Sequence, residues 1–185
     1  MTTVFVGGSR RISRIDAGIM PRLDRMVERR LRVVVGDASG ADSAVQDYLH
    51  GRRYDLVEVF CSGSVCRNNK GGWPTRTVGV PGATKRRDFT YYAAKDRAMA
   101  DEANLGLMLW DGDSFGTVMN VHRLVGQRKM VVVYVQNKRR FVDVKSSEDW
   151  DGFLAMCDDP VKDRLSRTAL AELGVGAMHT SALAL

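Results

Sequence analysis

The stretch running from Leu105 through Trp110-Asp111-Gly112-Asp113-Ser114-Phe115-Gly116-Thr117 constrains this chain more than any other. An apolar run of strand length stops at a turn of Asp, Gly and Ser. An amphipathic segment follows, with Val118, Val121, Leu124 and Val125 at helical spacing. A strand that passes through such a turn into a helix aims the helix's unbonded N–H groups, and the positive end of its dipole, beyond the strand tip. Anions, phosphates above all, are the usual occupants of that position. Two upstream segments repeat the pattern: Val6-Gly7-Gly8-Ser9-Arg10, and Val35-Gly36-Asp37-Ala38-Ser39-Gly40-Ala41-Asp42. In a parallel α/β sheet all three turns gather at the carboxyl ends of the strands, where such folds bind ligands. Three converging turns predict a nucleotide-sized site.

The rest of the chain supports that sheet. Thr2 to Val6, Arg32 to Val35, Leu56 to Phe60, Leu105 to Leu109 and Lys129 to Val135 read as buried strands, and Phe141 to Val144 adds a short edge strand. Helical patterns alternate with them. Ile15, Ile19, Leu23 and Met26 share one face, with Asp16 as the expected N-cap; Ser39 to Asp42 has the form of a capping box opening a helix to His50; a third helix is expected from Thr84 to Ala103. Cys61 to Pro81, rich in glycine, reads as one long irregular loop. Trp150, Phe153, Leu154 and Cys157 mark a helical face, a last helix is expected from Val161 to Leu173, and the tail from Gly174 is weakly patterned. The pattern predicts a three-layer α/β Rossmann-like domain with a mainly parallel sheet of about five strands over residues 1–145. A helical extension, 146–185, is expected to pack on it.

Composition narrows the class. The chain has 185 residues, 44% of them hydrophobic and 27% charged, which suits one globular domain. No stretch approaches the ~18 apolar residues of a membrane helix, and the first strand begins where a signal peptide's apolar region would lie. Three cysteines are a sparse and odd set, arguing against a disulfide framework and for a cytoplasmic location. Cys61 and Cys66 lack a second pair, and His50, His122 and His179 lack ligand spacing, so no metal site and no cofactor are expected. The net charge of +6 suits either nucleic acid or a polyanionic small ligand. Its basic residues cluster at Arg10 to Arg32, Arg67 to Arg87 and Lys138 to Arg140, where solvated helix faces and hairpin tips are the better account of them.

Four segments in order, Val4-Phe5-Val6-Gly7-Gly8-Ser9-Arg10, Gly36 to Asp42, Lys95-Asp96-Arg97-Ala98-Met99, and Trp110-Asp111-Gly112 with Gly116-Thr117, resemble the SLOG superfamily of Rossmann-like domains. The resemblance spans roughly residues 2 to 135 and looks closest to the stand-alone branch related to YspA/YpsA proteins. It implies a nucleotide or nucleotide-derived ligand (an NAD derivative included) above the strand ends, and a homo-oligomer. The LOG phosphoribohydrolases of that superfamily cleave N-glycosidic bonds with an Arg and a Glu. Here Lys95 stands at the Arg position and Asn120 at the Glu position. An amide can neither act as a general base nor stabilise an oxocarbenium ion by charge. The resemblance therefore implies either a sensor or a hydrolase with altered catalytic residues, for which Lys95, Asp111 and Asp113 are the candidates. The DNA-processing protein A family is similar in Gly8-Ser9-Arg10, Gly36 to Asp42 and Lys95-Asp96-Arg97, and implies the alternative, binding of single-stranded nucleic acid.

The remaining candidates are ligand contacts. Gly7, Gly8, Gly36 and Gly40 either allow close approach of a ligand or only permit tight turns. Ser9 and Arg10 are expected to pair phosphate. Asp37, Ser39 and Asp42 belong to the second turn, where Asp42 reads equally as a helix-dipole partner. Gly112, Ser114, Gly116, Thr117 and Asn120 form the helix-opening turn, and Asp111 either bonds a ribose hydroxyl or caps that turn. Lys95 and Arg97, two apart on a helix, cannot both face the site. Tyr91, Tyr92 and Phe89 read as core.

Overall fold

The structure is a computed structural model and describes residues 1–79 and 89–169. Its elements follow in chain order: β1 (Thr3–Gly8), α1 (Met20–Glu28), β2 (Arg32–Gly36), α2 (Ala41–Gly51), β3 (Val57–Ser62), β4 (Thr75–Val78), α3 (Phe89–Glu102), β5 (Leu105–Trp110), α4 (Phe115–Gly126), β6 (Met130–Val135), β7 (Arg140–Val144) and α5 (Ser147–Leu154). Residues 159–169 are again helical. The seven strands form one sheet in the order β4-β3-β2-β1-β5-β6-β7, parallel throughout except for β7 against β6.

Side chains divide the sheet into two cores by the period-two rule of strands. Val4, Val6, Val33, Val35, Leu107, Leu109, Val132 and Tyr134 face the layer of α1 and α2, where they meet Leu23, Met26, Val45 and Leu49. Phe5, Val34, Met108, Trp110, Val131, Val133 and Val135 face the other layer, with Met99 and Ala100 of α3, Val118, Met119 and Leu124 of α4, and Phe153 of α5. The chain thus has the Rossmann-like three-layer α/β fold. Strand order reverses at β1: β2 to β4 lie on one side and β5 to β7 on the other. The crevice above the tips of β1 and β5 is the switch point at which such sheets bind ligands.

Several local expectations are corrected. There are seven strands rather than about five, because the Cys61–Pro81 segment contributes β4, whose side chains are mostly exposed at the sheet edge. Residues 80 and 81 of that segment, the expected start of the third helix at Thr84, the basic residues 85–87 and everything from 170 on lie outside the described residues. Asp16 does not cap α1. The helix opens at Met20 after Ile19, while the Asp16 carboxylate accepts from the Gly18 amide at 2.8 Å and the Tyr134 hydroxyl at 2.8 Å. The Ser39–Asp42 capping box does not form either. Gly40 (φ 81°) is the N-cap of α2, a conformation favouring glycine, and Asp42 accepts from the Ala38 amide at 3.2 Å. A capping box does form at Ser146 and Asp149, at the start of α5. Finally, Cys61 and Cys66 are joined in a disulfide, with Cα atoms 5.1 Å apart, whereas Cys157 is free and buried. Among the described residues no helix is long and apolar enough to cross a membrane.

Candidate functional site

A cavity of about 500 Å³ opens above the switch point, within the size range of small-ligand sites. Gly7 to Arg11 of the first turn line it, with Ala38 and Asp42 of the second and Ser114 to Gly116 of the third. From α3 come Tyr92, Lys95 and Asp96, and Asn120 of α4 and Arg164 also line it, above a floor that includes Phe5, Ala93 and Met99.

The first and third turns are bound together by Asp111. Its Oδ1 accepts from the amides of Asp113 at 3.1 Å and Ser114 at 2.8 Å; its Oδ2 accepts from the Ser9 hydroxyl at 2.7 Å and from Nε of Arg11 at 2.6 Å. Burial alone raises the Asp111 carboxyl, but the Ser9 hydroxyl, the two amides and Arg11 outweigh it and hold it below its ordinary range. All four acceptor positions are filled, so Asp111 as arranged fixes the turn. Arg11 also reaches Asp113 at 2.6 Å on the exposed side. Ser9 adds a second tie, its carbonyl accepting from the Ala41 amide at 3.0 Å.

This clamp sets the start of α4. Ser114 is the N-cap, yet no side chain caps the helix: Thr117 donates its hydroxyl to Ser114 Oγ at 3.0 Å instead. The amides of Gly116 and Thr117, which no helical carbonyl can reach, have no hydrogen-bond partner among the described residues. A Cβ on Gly116 would meet nothing within 4 Å. Gly112 (φ 105°) allows the bend before this turn. Gly8 has a different reason, because a Cβ there would overlap the Leu109 carbonyl of β5. It serves strand pairing.

The second wall is a buried ionic cluster. Lys95 is 4% exposed and Asp42 6%. Lys95 Nζ donates to Asp96 Oδ1 at 2.7 Å and lies 3.8 Å from Asp42 Oδ2. Burial pushes the Asp42 carboxyl up to about 6, against the pull of Lys95. The same burial works to lower Lys95, but Asp96 and Asp42 overcome it and its ammonium stays above the ordinary range. A Cβ on Gly36 would collide with the Asp42 carboxylate and sit 2.5 Å from Lys95 Nζ. Its absence makes room for the pair.

The remaining candidates separate. Asp37 is fully buried outside the cavity lining, held by Arg67 through Nε at 3.0 Å and Nη2 at 2.5 Å. Burial opposes ionisation of Asp37, and Arg67 overrides it, so its carboxyl lies below its ordinary range. Ser39 is exposed, Gly40 packs on the Arg10 backbone, and Arg97 and Thr117 do not line the cavity. Asn120 lines it while accepting from Arg123 at 2.8 Å. Arg10 stands at the rim over the Tyr92 ring, 4.9 Å from its centroid, and Arg67 stacks on the same ring at 4.9 Å.

Sequence reasoning missed Arg11, Arg67, Asp96, Tyr92 and Arg164. Adjacent arginines such as Arg10 and Arg11 carry no signal as to which one turns toward the third turn. Arg67 and Arg164 come from segments whose approach to the cavity depends on the whole fold. Asp96, inside the Lys95-Asp96-Arg97 segment, is the one residue that a search for partners of Lys95 finds.

No protein-family model matches this chain, and no curated protein matches it. Among solved structures the chain is similar to DNA processing protein A from Helicobacter pylori, described for its single-stranded DNA binding mode, with a TM-score of 0.58 and 11% identity. The match covers 92% of this chain and 81% of that one. At that identity the likeness shows a shared fold.

Proposed function

We propose that the cavity binds a nucleotide or a nucleotide-derived ligand, with its phosphate seated on the Gly116 and Thr117 amides at the start of α4. The observation that carries this reading is the start of α4 itself. It lies uncapped at the switch point, its turn is fixed by Asp111, and Gly116 leaves the approach clear. Arg10 stands at the rim to add charge. Binding, as in a sensor, suits these residues better than hydrolysis. The Asp111 acceptors are all engaged, Asp113 pairs with Arg11 on the exposed side, and position 120 is an amide.

The test is Gly116→Val. The side chain fits without strain but fills the anion position, so nucleotide affinity should fall about 10- to 100-fold, the worth of one or two charge-assisted hydrogen bonds. Unchanged affinity in the folded variant contradicts the reading.

A second reading, binding of single-stranded nucleic acid, is favoured by one observation: Arg10 and Arg67 both gather at the Tyr92 ring. Aromatic and cationic groups so placed suit base stacking, and the structurally similar protein binds single-stranded DNA. A salt series separates the two. A mononucleotide site saturates at one ligand per chain with modest salt dependence, whereas a multi-phosphate contact weakens steeply as counterions compete. Tight oligonucleotide binding at physiological salt without mononucleotide binding would favour the second reading.

A further inference from the structure

The wall of Asp42, Lys95 and Asp96 is chemically unlike the start of α4. Lys95 Nζ makes one hydrogen bond among the described residues, to Asp96, although an ammonium has three protons to give. Asp42 Oδ2 accepts from Ala38, while Oδ1 accepts from no group among the described residues, although the residue is 6% exposed and lines the cavity. An acceptor with no protein partner beside a donor with protons to spare, both at the cavity wall, is placed to bond a ligand. A phosphate is repelled by the two carboxylates, and an amine by the ammonium. A neutral hydroxyl suits both, because each hydroxyl donates one hydrogen bond and accepts others. Gly7 leaves the way to Oδ1 clear: a Cβ there would stand only 3.7 Å from that oxygen.

The topology supplies the spacing. Asp42 belongs to the helix that follows β2 and the open amides to the helix that follows β5, with β1 between them. Two strand spacings make about 10 Å, on the scale of a nucleotide from its phosphate across its sugar.

We infer that Asp42 and Lys95 form a sugar-hydroxyl subsite that selects ribonucleotides over deoxyribonucleotides. The inference rests on the phosphate reading above and specifies the sugar of the same ligand. Asp42 Oδ1 accepts from the ribose 2′-hydroxyl and Lys95 donates to a neighbouring hydroxyl. A deoxyribose lacks the hydroxyl from which this oxygen accepts, and sites built to bond a hydroxyl discriminate strongly against analogues that lack it. Other charged groups nearby are Asp96 on α3 and, beyond the cavity wall, Asp37 with Arg67.

Dissociation constants of the full chain are measured for ribose 5-phosphate, 2-deoxyribose 5-phosphate and inorganic phosphate, so that no base need be known. Ribose 5-phosphate is expected to bind about 10- to 100-fold more tightly than its deoxy analogue. In Asp42→Asn that ratio should collapse toward one. Equal binding of the two sugars by the wild type would overturn this inference alone, whether or not the variant folds. Binding of none of the three would overturn the phosphate reading, and this inference with it.

Discussion

Lys95→Met is expected to destabilise the protein by about 3–5 kcal/mol near pH 8, the range for removing one partner from a buried ion pair. Methionine replaces the aliphatic stem of the side chain but not its charge. Asp42, and Asp96 in part, then face one another without a cation. The loss should depend on pH, and its sign follows from Asp42. Its folded-state pKa of about 6 lies above the ordinary carboxylate value of 3.8, so the native state holds that proton more tightly than the unfolded chain does. The stabilisation from this group is full below the unfolded value and is lost as pH rises through 6. Without Lys95 the ionised form is worse still. The gap between wild type and Lys95→Met should therefore widen from pH 5 to pH 8 in urea denaturation. A gap that stays constant or narrows would show that Asp42 and Lys95 do not interact as the geometry describes.

Asp111→Ala is the second large effect. It removes the acceptor of two main-chain amides and of a Ser9 hydroxyl that is itself almost fully buried. The expected loss is about 2–3 kcal/mol, less than the sum of three charge-assisted bonds because water reaches part of the turn. The Arg11 pairs are solvent-screened and add little. Asp111→Asn should lose less, since its amide oxygen still accepts from the Asp113 and Ser114 amides. Nucleotide binding should weaken in the same order, Ala more than Asn, because the carboxylate aligns the start of α4. Equal stability and binding in all three proteins would remove Asp111 from the role of fixing this turn.

Much of the fold was legible in the sequence because its signals are local. The apolar runs of β1, β2, β5 and β6 alternate with helical spacing, and those of β1, β2 and β5 run into glycine or aspartate, so these strand tips and their turns follow from pattern alone. β4 was not legible. Thr75-Arg76-Thr77-Val78 is an edge strand whose side chains need no apolar character, and it reads as loop. Asp16 has the composition and position of an N-cap, but the Tyr134 hydroxyl, 118 residues away, claims its carboxylate. The Cys61–Cys66 disulfide turns on how the chain bends between two residues, which cysteine counting does not see.

The candidate site divides the same way. The glycines and the helix-opening turn are visible as local motifs. The reasons for them are not, since Gly8 answers to the Leu109 carbonyl and Gly36 to the Asp42–Lys95 pair. That pair joins residues 53 positions apart on helices from opposite faces of the sheet, a contact that only the whole fold creates.

The central claim is that a nucleotide phosphate sits on the first amides of α4, and amide NMR reads those groups one by one. Titrating AMP into the labelled full chain should move the Gly116 and Thr117 amides most, with smaller shifts at Gly8 to Arg11 and saturation at one ligand per chain. Saturable binding that leaves Gly116 and Thr117 unmoved, with the shifts confined to another face such as Arg22 to Arg29, would contradict it.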